Sequence, residues 1–164
     1  MNDGQQPFER FSRFLLDLYG RADEPADADF RTSVLASATA LIPFDSALWA
    51  VGAVAGAQPM VHSVALHNQP PQMMADWEPI KHLDTLFQAA FSRPGQVIIA
   101  HADGPSGGPA FAPEIRAHTL RYGMQEVAST ILVDPQSGLF SAISLYRKRA
   151  GDAFSETEIE IARE

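Results

Sequence analysis

The sequence predicts an α+β domain. A central antiparallel sheet of about five or six strands carries the N- and C-terminal helices on one face and a lid of short helices and loops on the other. Three observations lead there. Two pairs of strand-like runs are each joined by a short turn, amphipathic helical stretches stand at both ends, and no strand alternates with a helix at the roughly 30-residue spacing of a parallel βαβ unit. A chain of 164 residues is long enough to bury the core of one such domain.

The elements follow in order. Residues 7–19 place Phe8, Phe11, Leu15 and Leu18 on one helical stripe, with Pro7 near the first turn and Gly20 at the C′ position. After an acidic, proline-containing loop over 21–28, Phe30, Val34, Leu35, Ala38, Leu41 and Ile42 recur at helical spacing. Asp27 or Asp29 serves as the cap of that helix and Pro43 as its stop. Residues 45–54 and 59–66 read as a hairpin around a glycine-containing turn at 55–58. From 67 to 111, short helical pieces are broken by Pro70, Pro71, Pro79 and Pro94; a short apolar strand covers 96–100, and the glycine- and proline-rich stretch 103–109 is an exposed loop. A helix over about 113–122 ends at Gly123, and strands over 125–133 and 139–147 are joined by a turn at 134–138.

The last eleven residues begin a final helix with every available device. Ser155 is the N-cap, Glu158 completes a capping box, and Phe154 and Ile159 have staple spacing. Glu156 and Glu158 complement the helix dipole. About nine helical residues are marginal in isolation, so the expectation is a helix that continues and a chain that is one domain of a longer protein.

Composition removes several function classes. The net charge is −8, and the basic cluster Arg147-Lys148-Arg149 sits at a strand end, where its favoured reading is a solvated tip; this segment alone is not expected to bind DNA. There is no cysteine, so disulfides, thiol catalysis and thiolate metal sites are excluded. No apolar run approaches the ~18 residues of a membrane span, and the N-terminus lacks the pattern of a secretion signal. A cytoplasmic setting is the default expectation.

Several phrases then carry a resemblance. They are Leu41-Ile-Pro-Phe-Asp-Ser-Ala-Leu-Trp49, Trp77 with Asp84-Thr-Leu-Phe87 and Arg93-Pro-Gly95, Tyr122-Gly-Met124, and Phe154-Ser-Glu-Thr-Glu158. Together with the order of elements they resemble a GAF-type sensory domain, and more narrowly the N-terminal domain of LuxR-family transcription regulators. The resemblance implies a GAF/PAS-like sheet and a domain that senses or dimerises. DNA contact would come only through a C-terminal helix-turn-helix domain absent from this chain. Acyl-homoserine-lactone receptors of the family hold their ligand with a Trp, Tyr and Asp set in the irregular middle. Trp77 and Asp84 resemble two of these, at closer spacing, while Lys81 and His82 occupy the region of the tyrosine.

The residues allow a site to be named, with a plainer reading beside each. An indole N–H donates one hydrogen bond and a carboxylate accepts several, so Trp77 and Asp84 can orient a carbonyl- or amide-bearing molecule in an apolar pocket. Alternatively, Asp84 caps the helix over 85–91 and Trp77 only packs. Trp49 lines a pocket or fills the core. Met74, Phe87, Phe111 and Tyr122 lie in the irregular half, where an adaptable ligand site and an ordinary lid both call for such side chains. These seven residues form the candidate ligand site. His62, His67, His82, His101 and His118 show no metal-ligand spacing, and His101 with Asp103 supplies two ligands at most, so neither metal nor cofactor is expected. No phosphate-binding loop, nucleophile elbow or activated serine is present; no catalytic residue is named and an enzyme is not expected. The expected function is small-molecule sensing and dimerisation, with an unidentified, mostly apolar ligand and a homodimer paired through the terminal helices. The alternatives are a ligand-free dimerisation module and, behind it, a small enzyme.

Overall fold

The computed structural model describes residues 5–21, 28–55, 58–104 and 108–163. The expectations placed on Asp27, on the side chains of Pro7, Phe8 and Asp29, and on the loop tips at 56–57 and 105–107 fall outside the described residues.

The chain runs α1 (Gln5–Gly20), α2 (Ala28–Ala38), β1 (Ser46–Ala55), β2 (Gln58–His67), α3 (Gln72–Trp77), a 3-10 turn (Lys81–Leu83), α4 (Thr85–Ser92), β3 (Ile98–His101), α5 (Pro113–Arg121), β4 (Glu126–Val133), β5 (Leu139–Arg147) and α6 (Glu156–Arg163). Five strands form one sheet in the order β2-β1-β5-β4-β3, and every neighbouring pair is antiparallel. The two hairpins meet at the centre through β1 and β5, while β3 closes the far edge against β4.

Period-two alternation gives the sheet two apolar faces. Leu48, Ala50, Val127, Ile131, Phe140, Ala142 and Tyr146 join Met73 of α3 and Leu86 and Ala90 of α4 in the inner core. Ala47, Ala128 and Leu145 point the other way, into a core with Leu35 of α2, Ile42 and Phe154, against which Trp49, Ile143, Ile159 and Ile161 pack. Terminal helices and lid therefore lie on opposite faces, the arrangement expected from the sequence.

Helix ends show what local chemistry decided. The Met124 amide reaches the Thr119 carbonyl (2.9 Å) and the Gly123 amide that of Leu120 (3.1 Å), a Schellman end to α5 that needs the left-handed φ of 68° at Gly123. α2 stops at Ala38, short of Pro43. There the Ser37 and Thr39 hydroxyls donate to the carbonyls of Ser33 (3.1 Å) and Ala36 (2.6 Å), while the Leu41 and Ile42 amides both fold back onto Ala38. Gly20 lies within the last turn of α1 rather than beyond it. The capping box of α6 is formed: the Glu158 amide donates to Ser155 Oγ (3.3 Å) and the Ser155 amide to Glu158 Oε2 (2.7 Å).

Arg147 corrects the reading of the basic cluster as a solvated tip. Lys148 and Arg149 are exposed, but Arg147 is 5% exposed. Its guanidinium donates to the carbonyls of Pro43 (2.9 and 2.8 Å) and Ala153 (2.9 Å), pairs with Glu158 (2.7 Å), and lies 4.2 Å over the Phe154 ring. As the last residue of β5 it alternates onto the outer face, where α6 and the α2–β1 connection cover it.

Candidate functional site

A partly open cavity of about 90 Å³ lies between the inner face of the sheet and the lid formed by α3, α4 and α5. Its floor is Leu48, Ala50, Ala142 and Tyr146; its roof includes Met73, Met74 and Trp77 from α3, Asp84 at the start of α4, Phe87, and Ile115 and His118 from α5. The short lid helices follow from the prolines between them, which limit each segment to one or two turns.

Asp84 holds the polar end of the roof. Its Oδ1 accepts from the Phe87 amide (3.0 Å), the N-cap bond of α4, and its Oδ2 accepts from Trp77 Nε1–H (2.8 Å). The two readings of this pair are thus compatible: one carboxylate caps a helix and orients an indole over the cavity. The Trp77 ring meets Phe87 edge-on at 5.4 Å, Phe87 meets Phe91 at 4.9 Å, and Phe91 meets Phe140 of β5 at 5.0 Å, so aromatic contacts run from lid to sheet. Asp84→Ala removes both bonds and leaves the Trp77 N–H buried without a partner. The expected loss is about 2–3 kcal/mol in urea unfolding, with Asp84→Asn, which keeps one acceptor oxygen, losing roughly half of that.

Three contacts hold α3 to α5 and its C-cap, two hydrogen bonds and an ion pair. His118 Nε2–H donates to the Met73 carbonyl (2.8 Å), and the Tyr122 hydroxyl donates to Asp76 Oδ2 (2.6 Å). Asp76 also accepts from Gln72 (2.6 Å) and pairs with Arg121 (3.0 Å). The Tyr122 bond, followed by that of Gln72, holds the Asp76 carboxyl below its ordinary pKa, and the same bond raises the Tyr122 phenol. On the floor, Ser129 and Ser144 share a hydrogen bond across β4 and β5 (2.9 Å), and burial pushes the Tyr146 phenol above its ordinary value.

Of the seven sequence candidates, Met74, Trp77, Asp84, Phe87 and Phe111 line this cavity together. Trp49 and Tyr122 do not. Trp49 is out of phase with Leu48 and Ala50, so its ring lies on the outer face, with Nε1–H donating to Ser141 Oγ (2.8 Å). Tyr122 follows the last turn of α5; its ring lies against His118 (5.0 Å) and its hydroxyl points to Asp76. The lining residues that sequence reasoning left out are chiefly Met73, His118, Ser129, Ser144 and Tyr146. Ser129 stands two from Val127 and Ile131, and Ser144 and Tyr146 stand two and four from Ala142 on the two clearest strands, so alternation was the signal that placed them.

Chemically the cavity favours holding over reacting. Asp84 and His118 are its titratable lining groups besides the buried phenol, and both are already hydrogen-bonded; the serines face each other. His101 pairs with Glu126 and Asp103 with Arg116, away from this lining. Among the described residues no group of three or more His, Asp or Glu could hold a metal ion, and no helix is long and apolar enough to cross a membrane.

No family model and no curated protein matches the sequence. Solved structures do. CepR2 of Burkholderia cenocepacia, an N-acylhomoserine-lactone-dependent LuxR-family transcription factor, aligns with a TM-score of 0.72 at 16% identity over 94% of this chain and 87% of its own. SdiA of Escherichia coli aligns with 0.67 at 15% identity over 95% of this chain. This chain spans 63% of the SdiA chain, which has also been solved in complex with octanoyl-rac-glycerol. The phycoerythrobilin-bound GAF domain of a cyanobacterial phytochrome aligns with 0.60 at 11% identity over 96% of this chain and 89% of its own. The chain therefore has the α+β fold shared by the sensory region of LuxR-family regulators and by GAF domains.

Proposed function

We propose that this chain is the small-molecule-sensing domain of a LuxR-type transcription regulator, acting in the cytoplasm as a homodimer paired through its terminal helices, without catalysis of its own. DNA contact would belong to a separate C-terminal domain. The observation that carries the reading is the mostly apolar cavity beneath a segmented lid, with one indole–carboxylate pair in its lining. The fold likeness to CepR2, a lactone-dependent factor, and to SdiA, solved with octanoyl-rac-glycerol, supports a ligand with an acyl chain and a small polar head.

Size sets the mechanism. At about 90 Å³ the cavity is smaller than the roughly 150 Å³ that accepts benzene, and well under the 300–1,000 Å³ of ordinary ligand sites. A ligand of acyl-lactone size enters only if α3 moves away from the sheet, which strains or breaks the His118–Met73 and Tyr122–Asp76 bonds. The ligand then favours the open lid through unequal affinity for its two arrangements. The same small volume favours the second reading, a dimerisation module whose interior stays closed.

The test uses the two tryptophans, of which Trp77 alone lines this cavity. In a Trp49→Phe variant, an acyl-homoserine lactone or 1-octanoylglycerol is expected to change Trp77 emission saturably. At one hundred times Kd it should stabilise the domain by about 2.7 kcal/mol, read as a Tm rise of roughly 5–10 °C. Tyr122→Phe, which frees one lid contact, should tighten binding several-fold. If neither class of compound moves emission or Tm, the closed module is the correct reading. A strict monomer in light scattering at tens of micromolar would remove the dimer from the proposal.

A further inference from the structure

A second, larger cavity lies on the opposite face of the sheet, and it is not part of the site just described. It is a half-open cavity of about 440 Å³ between α1, α2, α6 and the outer face of the sheet. Its floor crosses four adjacent strands, from Trp49 on β1 through Ile143 on β5 and Thr130 on β4 to Val97 at the entrance to β3. Four strands at about 4.8 Å spacing make this floor roughly 14 Å long, so a cavity of this volume is about 6 Å across. The shape is a half-open groove, and its length suits an unbranched chain better than a fused ring system.

The lining fixes the chemistry. Phe11, Phe14, Leu15 and Leu18 of α1 form the roof, and none of them belongs to either packed core. Trp49 presents only its rings, because its N–H is bound to Ser141. Arg163, in the last turn of α6, supplies the charged group of the lining, and its guanidinium has neither ion pair nor hydrogen bond among the described residues. Thr130 adds a hydroxyl from the floor. We infer that this cavity is a second ligand site, for an unbranched fatty carboxylate. Its chain lies along the sheet under α1 and its head group pairs with Arg163. The floor length of roughly 14 Å, rather than the volume, suits an extended chain on the order of ten carbons. The site stands independently of the one under the lid and holds whether or not that site binds anything.

Trp49 reports on it directly. In a Trp77→Phe variant, decanoate added below its micellar concentration should change Trp49 emission saturably. Thr130→Phe, which fills the floor, should abolish that change while leaving the far-ultraviolet circular dichroism intact. Arg163→Gln should weaken decanoate about tenfold while leaving decan-1-ol unchanged, and this comparison decides the matter if Thr130→Phe fails to fold. The inference is overturned if millimolar decanoate leaves Trp49 emission unmoved, if the response survives in a folded Thr130→Phe protein, or if acid and alcohol lose affinity equally in Arg163→Gln.

Discussion

Arg147→Ala is expected to lower the unfolding free energy by about 3 kcal/mol, the cost of taking a buried guanidinium from two carbonyls and a half-buried carboxylate. In a domain of this size that corresponds to a Tm fall on the order of 10 °C. The buried guanidinium gathers the Pro43 and Ala153 carbonyls and the Glu158 carboxylate; without it both carbonyls lose this donor, and Glu158 keeps only those of Ser155. Lysine does not rescue, since a point charge cannot serve carbonyls on two sides and a carboxylate at once. Urea unfolding with an unchanged m value, together with faster hydrogen exchange in α6, is the expected result; a loss below about 1 kcal/mol would refute this role. The pair also has a pH signature. Burial raises the pKa of Glu158, but the Ser155 amide, Arg147 and the Ser155 hydroxyl together outweigh it and hold the pKa below its ordinary value. A depressed folded pKa contributes stability above the unfolded carboxylate range, and that contribution is lost as pH falls through the folded value. The α6 latch should therefore weaken in acid, and Glu158→Gln should flatten that part of the stability profile.

Gly52→Ala is expected to cost about 3 kcal/mol, and Gly52→Val to prevent soluble expression. Gly52 lies on β1, between β2 and β5, at the irregularity where the β1–β2 register shifts. A Cβ there would penetrate the Met60 carbonyl oxygen and come within 2.6 Å of two Phe140 ring carbons. The ring can rotate or be trimmed, but the carbonyl belongs to the β2 backbone and moves only if strand pairing is disrupted, so the cost lies at the upper end for overpacking. Phe140→Leu combined with Gly52→Ala should recover only the part due to the ring. Full recovery in the double mutant would show that the backbone contact carries no penalty.

How far the fold was legible depends on where its information is local. The hairpin around Gly138, the Schellman glycine of α5 and the Ser155–Glu158 box are decided by residues a few positions apart, and all three formed as expected. The site was readable where a type-specific polar pair stood among apolar neighbours, as with Trp77 and Asp84. Trp49 was not placeable for a simple reason. Ala47, Leu48, Trp49, Ala50 and Val51 are apolar at every position because both faces of β1 are covered, so alternation has a period but no sign. Arg147 was misread because its partners come from residues 43, 152, 153 and 158, and no sequence pattern announces a guanidinium drawn inward by distant carbonyls. The early end of α2 depended on two hydroxyls competing with the helix, a balance that apolar spacing does not register.

The bond between Trp77 and Asp84 bears on selectivity as well as on shape. The indole N–H already has an acceptor, and both carboxylate oxygens already have donors, inside the fold. A carbonyl arriving at this end of the cavity cannot add a hydrogen bond to this pair, because the one indole donor is taken; it can only exchange one. Exchange contributes little to affinity, yet it rejects molecules that displace the bond without replacing it. Affinity is then left to the apolar walls and discrimination to a single swap. If the proposed site binds such a molecule, its selectivity therefore rests on one internal bond, and a substitution that weakens that bond should relax discrimination among head groups more than it changes affinity.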